Sequence, residues 1–191
     1  MAFPASLREI SQGAFAACKC LRTVEFGEGL ETLGTDQYPD TGEVWLGLFE
    51  GSILENIKLP STLKRIEDRV FKDCKSLKSV SLPERLEYVG KWCFSGSALV
   101  SINYPSALKT VEQNTFRECK DLTTVEFPEG LEKIGLEAFM TSGIEHVEFP
   151  TSLRTIAQGA FAECKNLTNV TLNEGLEALG TDEYPPKEEN F

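Results

Sequence analysis

Between Pro4 and Leu172 the chain repeats one short pattern seven times, and this periodicity restricts the available folds more than any single residue does. The copies start at Pro4, Gly27 (Gly in place of Pro), Pro60, Pro83, Pro105, Pro128 and Pro150, spaced 23, 33, 23, 22, 23 and 22 residues apart. The consensus reads P-x-x-L-x-x-I-x-x-x-x-F-x-x-C-x-x-L-x-x-V-x-F. The third copy carries it in full, with Leu63, Ile66, Phe71, Cys74, Leu77, Val80 and Leu82. Alternate copies lose one residue near the Cys position and carry Gly51-Ser52, Gly96-Ser97 or Ser142-Gly143 there, so long and short copies alternate.

A unit of this length cannot bury its own apolar face; stacking creates the core, and Leu at these offsets points to a solenoid of the leucine-rich class. Residues 77–82 (L-K-S-V-S-L) alternate apolar and polar, the pattern of a strand buried on one face. Its equivalents in all seven copies are expected to stack as one parallel sheet with rungs about 4.8 Å apart. Proline then ends the strand, and L-x-x-I carries the chain to the opposite side. The next stretch, such as 68–74, has helical spacing but is too short for a stable isolated helix, so a single helical or 3-10 turn held by its Phe is predicted. Phe15, Phe49, Phe71, Phe94, Phe116, Phe139 and Phe161 should form an internal aromatic column. The expected fold is therefore an α/β, right-handed leucine-rich repeat solenoid, with a parallel sheet on the concave face and short helical or 3-10 turns on the convex side. Residues 1–191 read as one array of about seven full repeats with truncated ends and an insertion loop at 35–48.

The combination of P-x-x-L-x-x-I, A-F-x-x-C (14–18 and 160–164) and L-x-x-V-x-F-P (122–128) closely resembles the BspA-like, or treponemal-type, leucine-rich repeat family over about 170 residues. That resemblance implies a secreted or cell-surface protein engaged in adhesion to host proteins or to other cells. It brings no catalytic residues and no cofactor.

Charge narrows the partners. A formal net charge of -11 argues against nucleic acid, whose phosphates demand clustered Lys and Arg, and against anionic membrane surfaces. No apolar run approaches the roughly 18 residues needed to span a bilayer, and the first residues given do not have the charged-then-apolar pattern of a signal segment. The chain begins within a repeat. Near its other end, G-L-E-A-L-G-T-D-E-Y-P (175–185) nearly copies G-L-E-T-L-G-T-D-Q-Y-P (29–39). A segment of a longer array is expected, and its uncapped terminal rungs invite end-to-end or edge self-association.

Six cysteines suggest disulfides only until they are placed on the repeat. Cys18, Cys74, Cys119 and Cys164 share one column and occur in alternate copies. Two rungs separate successive thiols by roughly 10 Å, beyond the ~7 Å Cα limit for a bridge. They read as buried free thiols, with Cys93 and Cys20 as packing or surface residues. No metal site is expected: Cys18-Lys19-Cys20 is the nearest approach to a zinc pair, and Asp36, Asp40 and Glu43 match no calcium loop. His146 is the only histidine. Alignment puts it between Thr124 and Asn169 on neighbouring rungs, with Glu148 on its own strand. A flat sheet without oxyanion donors or a nucleophile elbow does not make these groups a hydrolase.

Strand alternation selects the side chains that should face outward: Thr23 and Glu25, Asn56 and Lys58, Ser79 and Ser81, Ser101 and Asn103, Thr124 and Glu126, His146 and Glu148, Asn169 and Thr171. Solenoids commonly use this face for ligands. These groups are small and hydrogen-bonding, with a slight acidic bias and no aromatic anchor, which suits a glycan or an extended peptide better than a tight globular partner. The insertion adds Tyr38 and Trp45 as a possible lip to that face, since per-repeat insertions become loops on one side. Two sequons, at Asn166 and Asn169, overlap the seventh strand and follow from the repeat's own Asn and Thr usage. The expected function is a non-catalytic recognition or adhesion module for a protein or glycan, with a structural spacer as the alternative.

Overall fold

The structure is a computed structural model and describes residues 1–34 and 46–180. It is a stack of rungs held by three sets of inter-rung hydrogen bonds, one on each side of the coil. On the L-x-x-I side, two-residue strands form parallel ladders in unbroken sequence order. Thr32–Leu33, Arg65–Ile66 and Tyr88–Val89 make one, and Thr110–Val111, Lys133–Ile134, Thr155–Ile156 and Ala178–Leu179 make the other. The five from Arg65–Ile66 to Thr155–Ile156 are approached through a turn in which the Leu amide of P-x-x-L donates to the Pro carbonyl three residues back, as Leu63 does to Pro60 at 3.2 Å and Leu131 to Pro128 at 3.2 Å.

The strand side is less continuous than the repeat predicts. It comprises three two-stranded parallel ladders: Thr23–Glu25 with Asn56–Lys58, Ser101–Asn103 with Thr124–Glu126, and His146–Glu148 with Asn169–Thr171. Residues 79–81, the strand of the copy with the fullest consensus, form no strand. Two features of sequence account for this. The outward positions are both Ser, which has little cross-strand contact to offer. In addition, the residue closing the strand is an aromatic in most other rungs (Phe3, Phe26, Tyr104, Phe127, Phe149), with a lone Leu172 next to Phe149, but here Leu59 and Leu82 fall on successive rungs, so two neighbouring strand ends lack the bracing ring. Phe26 packs edge-on against Phe49 at 6.4 Å, and Phe127 and Phe149 do the same with Phe139 and Phe161 at 5.9 and 5.8 Å. A second interruption falls between Thr124–Glu126 and His146–Glu148, where Glu126 and Glu148 occupy equivalent outward positions on successive rungs.

The third side corrects the expectation of helical or 3-10 turns: there is no helix among the described residues. The backbone instead enters the left-handed region two residues after each Phe and, except at Phe49, two residues before it. Arg69 (φ 61°), Trp92 (60°), Asn114 (58°), Glu137 (51°) and Gly159 (65°) precede it, and Gly51 (68°), Asp73 (55°), Gly96 (68°), Glu118 (59°), Thr141 (59°) and Glu163 (55°) follow it. Left-handed residues at this spacing cannot continue a right-handed helix. They turn alternate amides toward the next rung, so Arg69, Phe71 and Asp73 donate to the carbonyls of Lys91, Cys93 and Ser95 at 2.9, 2.8 and 2.7 Å. The same three-bond register recurs from Trp92, Phe94 and Gly96 to Gln113, Thr115 and Arg117.

Inside, the seven Phe rings stack in one column. Centroid separations run from 5.1 to 5.8 Å, and interplanar angles between neighbours from 3° to 16°. Phe49, Phe71, Phe94, Phe116 and Phe139 are fully buried, together with the apolar pairs of the central L-x-x-I segments, from Leu30 and Leu33 to Leu131 and Ile134. Of the residues following Trp45, Leu48 is buried whereas Leu46 is 47% exposed, so the apolar stretch packs down only from Gly47 onward. A side chain on Gly47 would place its Cβ 1.7 Å from the Arg69 carbonyl oxygen, which makes this close approach possible only for glycine.

Candidate functional site

The inward residues Val24, Ile102, Val125 and Val147 are buried and Ile57 is half-buried, which turns their neighbours outward, whereas Val170 on the last strand is 49% exposed. All fourteen outward side chains named above are exposed, from Thr23 and Glu25 at one end to Asn169 and Thr171 at the other. The parallel register sets Thr23 beside Asn56 and Glu25 beside Lys58, Ser101 beside Thr124 and Asn103 beside Glu126, and His146 beside Asn169 and Glu148 beside Thr171. Tyr38 and Trp45 lie outside the described residues, as do Asp36, Asp40 and Glu43.

The face is electrostatically uneven. Lys58 donates to Glu25 at 2.8 Å; that hydrogen bond and the opposite charge hold the Glu25 carboxyl below its ordinary range and Lys58 above its own. Arg22 pairs with Glu55 on the same two rungs. Both pairs are solvent-exposed and contribute little to stability. At the other end, Glu126 and Glu148 leave an acidic strip, bordered by His146, whose Nδ1 lies 3.4 Å from the Thr168 hydroxyl. Thr124 and Glu148 share this open face with His146, and among the described residues no buried carboxylate hydrogen-bonds the imidazole as the acid of a triad would.

Two clefts flank residues 79–82. The first, of about 680 Å³, opens between the Ile57–Leu59 edge and Ser81, with Pro83, Glu84 and Arg85 on its far rim. The second, of about 500 Å³, lies between residues 79–82 and the rung carrying Ser101, Asn103 and Tyr104. Ser79, Ser81, Lys58, Ser101 and Asn103 are thus cleft residues, whereas Thr23, Thr124, His146, Asn169 and Thr171 lie away from both. Sequence reasoning placed none of Glu28, Glu84 or Arg85 at the site, because they follow the strand. The sequence signal for the clefts is the replacement of the strand-end aromatic by Leu59 and Leu82.

The cysteine column is internal. Cys74, Cys93, Cys119 and Cys164 are buried, Cys18 is half-buried and Cys20 is exposed; all six are free thiols. The described residues contain no cluster of three or more His, Cys, Asp or Glu able to hold a metal ion. Asn166 and Asn169 of the two sequons are exposed.

The repeat geometry agrees with sequence comparison. A family model described as a BspA type leucine-rich repeat region matches residues 1–45, 46–168 and 132–184, in six copies. The chain belongs to the BspA-type leucine-rich repeat family. No curated protein sequence matches it. Among solved structures, a leucine-rich repeat protein from Eubacterium ventriosum aligns with a TM-score of 0.69 at 20% identity, over 97% of this chain and 60% of that one. A leucine-rich repeat protein from Bacteroides ovatus aligns at 0.52 and 23% identity over 94% of this chain and 56% of its own. The T. pallidum leucine-rich repeat protein aligns at 0.52 and 22% identity over 73% and 74%. At these identities the likeness is one of fold. This BspA-type chain spans little more than half the length of the Bacteroides and Eubacterium proteins.

Proposed function

We propose that this BspA-type array is a non-catalytic recognition module, exposed on a cell surface or secreted, that binds a protein or glycan reversibly across its strand face. The observation that supports this reading is the pair of clefts flanking residues 79–82, on a face where all fourteen outward side chains are exposed and hydrogen-bonding groups predominate. Hydroxyls and amides of Ser79, Ser81, Ser101 and Asn103 offer donors and acceptors of the kind a sugar or a peptide backbone uses, without the aromatic anchors of a high-affinity protein hot spot. The net charge of -11 sets the module against polyanionic ligands.

A structural spacer is the second reading, and the unbroken Phe column from Phe15 to Phe161 favours it. Binding to arrays of glycans and extracellular matrix proteins separates the two. The comparison uses the parent chain, a variant with Thr124, His146 and Asn169 all changed to Lys, and a variant with Ser81 and Ser101 changed to Lys. Loss of binding in either variant supports recognition through the strand face and says which part is used. A parent chain that binds nothing, or two variants that bind as well as the parent, would leave the spacer reading standing.

A further inference from the structure

The rung at residues 79–82 differs from its neighbours in its backbone rather than its side chains. Ser79, Val80, Ser81 and Leu82 neither donate nor accept a backbone hydrogen bond among the described residues; the nearest inter-rung bond runs from the Val100 amide to the Lys78 carbonyl at 3.1 Å. No side chain hydrogen-bonds to these residues either. On the other two sides of the coil, the same copy is fully tied in. Arg65–Ile66 pairs with Tyr88–Val89, and Phe71 stacks on Phe94 at 5.3 Å. Between the rung of Asn56–Lys58 and that of residues 79–82 the coil therefore opens on its strand side alone, which exposes one edge of Asn56–Lys58 as well as the 79–82 backbone; one rung further on, the L-x-x-I side is interrupted too, between Tyr88–Val89 and Thr110–Val111.

We propose that the 680 Å³ cleft between the Ile57–Leu59 edge and residue 81 receives an extended polypeptide segment, which pairs with the backbone of residues 79–82 as an added strand. Backbone groups in a half-buried cleft demand partners, and a row of amides and carbonyls in extended chain is matched in spacing by another extended chain. The chemistry of the cleft fits this occupant. Ile57, Leu59 and Pro83 present an apolar surface that takes every second side chain of a strand, while Lys58, Glu84 and Arg85 border it with charges of both signs. A glycan has hydroxyls at other spacings and no amide row, so it matches the serine hydroxyls without matching the backbone. This inference rests on the recognition reading of the strand face and narrows its ligand to a peptide strand.

A displayed library of random twelve-residue peptides, selected on the parent chain, provides the probe. Selected peptides are then measured against Ser81→Pro, which removes one cleft amide that no protein group uses, and against Ser81→Ala, which keeps the amide and removes the hydroxyl. Loss of one backbone hydrogen bond should weaken binding by about tenfold in Ser81→Pro, and Ser81→Ala should bind within about twofold of the parent. Bound peptide should also slow amide exchange at residues 79–82, and the thermal midpoint of free Ser81→Pro should match that of the parent. Three results overturn strand pairing: no selected peptide protects these amides, Ser81→Pro binds as well as the parent, or Ser81→Ala loses as much affinity as Ser81→Pro. If the strand-face Lys variants lose binding to a glycan while Ser81→Pro keeps it, recognition by this face stands and the peptide-strand assignment falls.

Discussion

The thiol of Cys119 donates to the carbonyl oxygen of Phe94 at 3.0 Å, across one rung. The same bond joins Cys74 to Phe49 at 3.2 Å and Cys164 to Phe139 at 3.1 Å. Each thiol also meets the serine of the short copy it reaches: Ser52 at 3.6 Å, Ser97 at 3.5 Å and Ser142 at 3.3 Å. Long and short copies thus alternate as partners, the Cys of one adding a second hydrogen bond to a Phe carbonyl that already accepts from the serine amide of its own copy. The Phe94 carbonyl also accepts from the Ser97 amide at 3.0 Å, so Cys119→Ala removes its second donor without orphaning it and should lower stability by about 0.5–1.5 kcal/mol, whereas Cys119→Ser, which keeps a donor, should lose less. Chemical denaturation of the two variants tests this, and equal losses would refute the hydrogen-bond account. Native alkylation should label Cys20 fast and the four buried thiols slowly; in denaturant six groups should react, and four or fewer would contradict free thiols.

Burial pushes the Cys74 and Cys119 thiols from 9.0 up to about 12, with hydrogen bonds from Ser52 and Ser97 working against the shift. In the unfolded chain these thiols lose their protons near pH 9, while in the fold they keep them until about 12. The folded state therefore binds more protons within that window, and stability falls as pH rises through it. Below pH 9 both states are protonated and the contribution is complete. Each thiol should remove about 1.4 kcal/mol per pH unit well inside the window. Denaturation midpoints measured from pH 8 to 10.5 should fall more steeply for the parent chain than for Cys74→Ala/Cys119→Ala. Parallel curves would show that these thiols ionise alike in both states.

The left-handed positions flanking each Phe are partly met by glycine and partly forced on other residues. Gly51 has φ of 68°, and a Cβ there would meet nothing within 4 Å, so Gly51→Ala isolates the backbone term and should cost about 1–2 kcal/mol. Glu163 holds φ of 55° at the equivalent place on an exposed turn. Glu163→Gly should relieve that strain, offset in part by the ~0.5–1 kcal/mol of extra freedom glycine has in the unfolded chain, for a net gain of up to about 1 kcal/mol. Opposite signs for the two substitutions in urea denaturation are the expected outcome; a loss in both would mean that the turn ladder carries no strain at these sites.

The repeat made the stacking axis, the Phe column, the free thiols and the outward strand positions legible, because each depends on a period that the sequence states seven times. It misled where several conformations share that period. Residues 68–74 have helical spacing, but Arg69 and Asp73 sit at the left-handed positions of their copy. The sequence hint was Gly at those positions in other copies: Gly13 and Gly159 before the Phe, Gly51 and Gly96 after it. Likewise residues 77–82 carry a fuller strand pattern than several copies that do pair. Pairing depends on the rungs beside them, where Leu59 and Leu82 lack the bracing ring of Phe26 or Phe127, and no single copy shows that. The clefts follow from this difference between neighbours.

The interruption between Glu126 and Glu148 can be tested by reversing one charge. Two carboxylates at equivalent outward positions of adjacent strands destabilise the pair, whereas Glu25 and Lys58 at such positions meet at 2.8 Å within a continuous ladder. Glu148→Lys places a cation beside Glu126 and keeps neutral Thr171 on its other side. Stability should rise by about 0.2–1 kcal/mol at low ionic strength and the gain should shrink in 1 M salt, since both groups are exposed. Amide exchange on the rung of Val147 should slow if the two ladders join. A gain that salt leaves unchanged would point to packing rather than charge, and no gain would mean that the break is set by rung geometry and that the carboxylates merely occupy it.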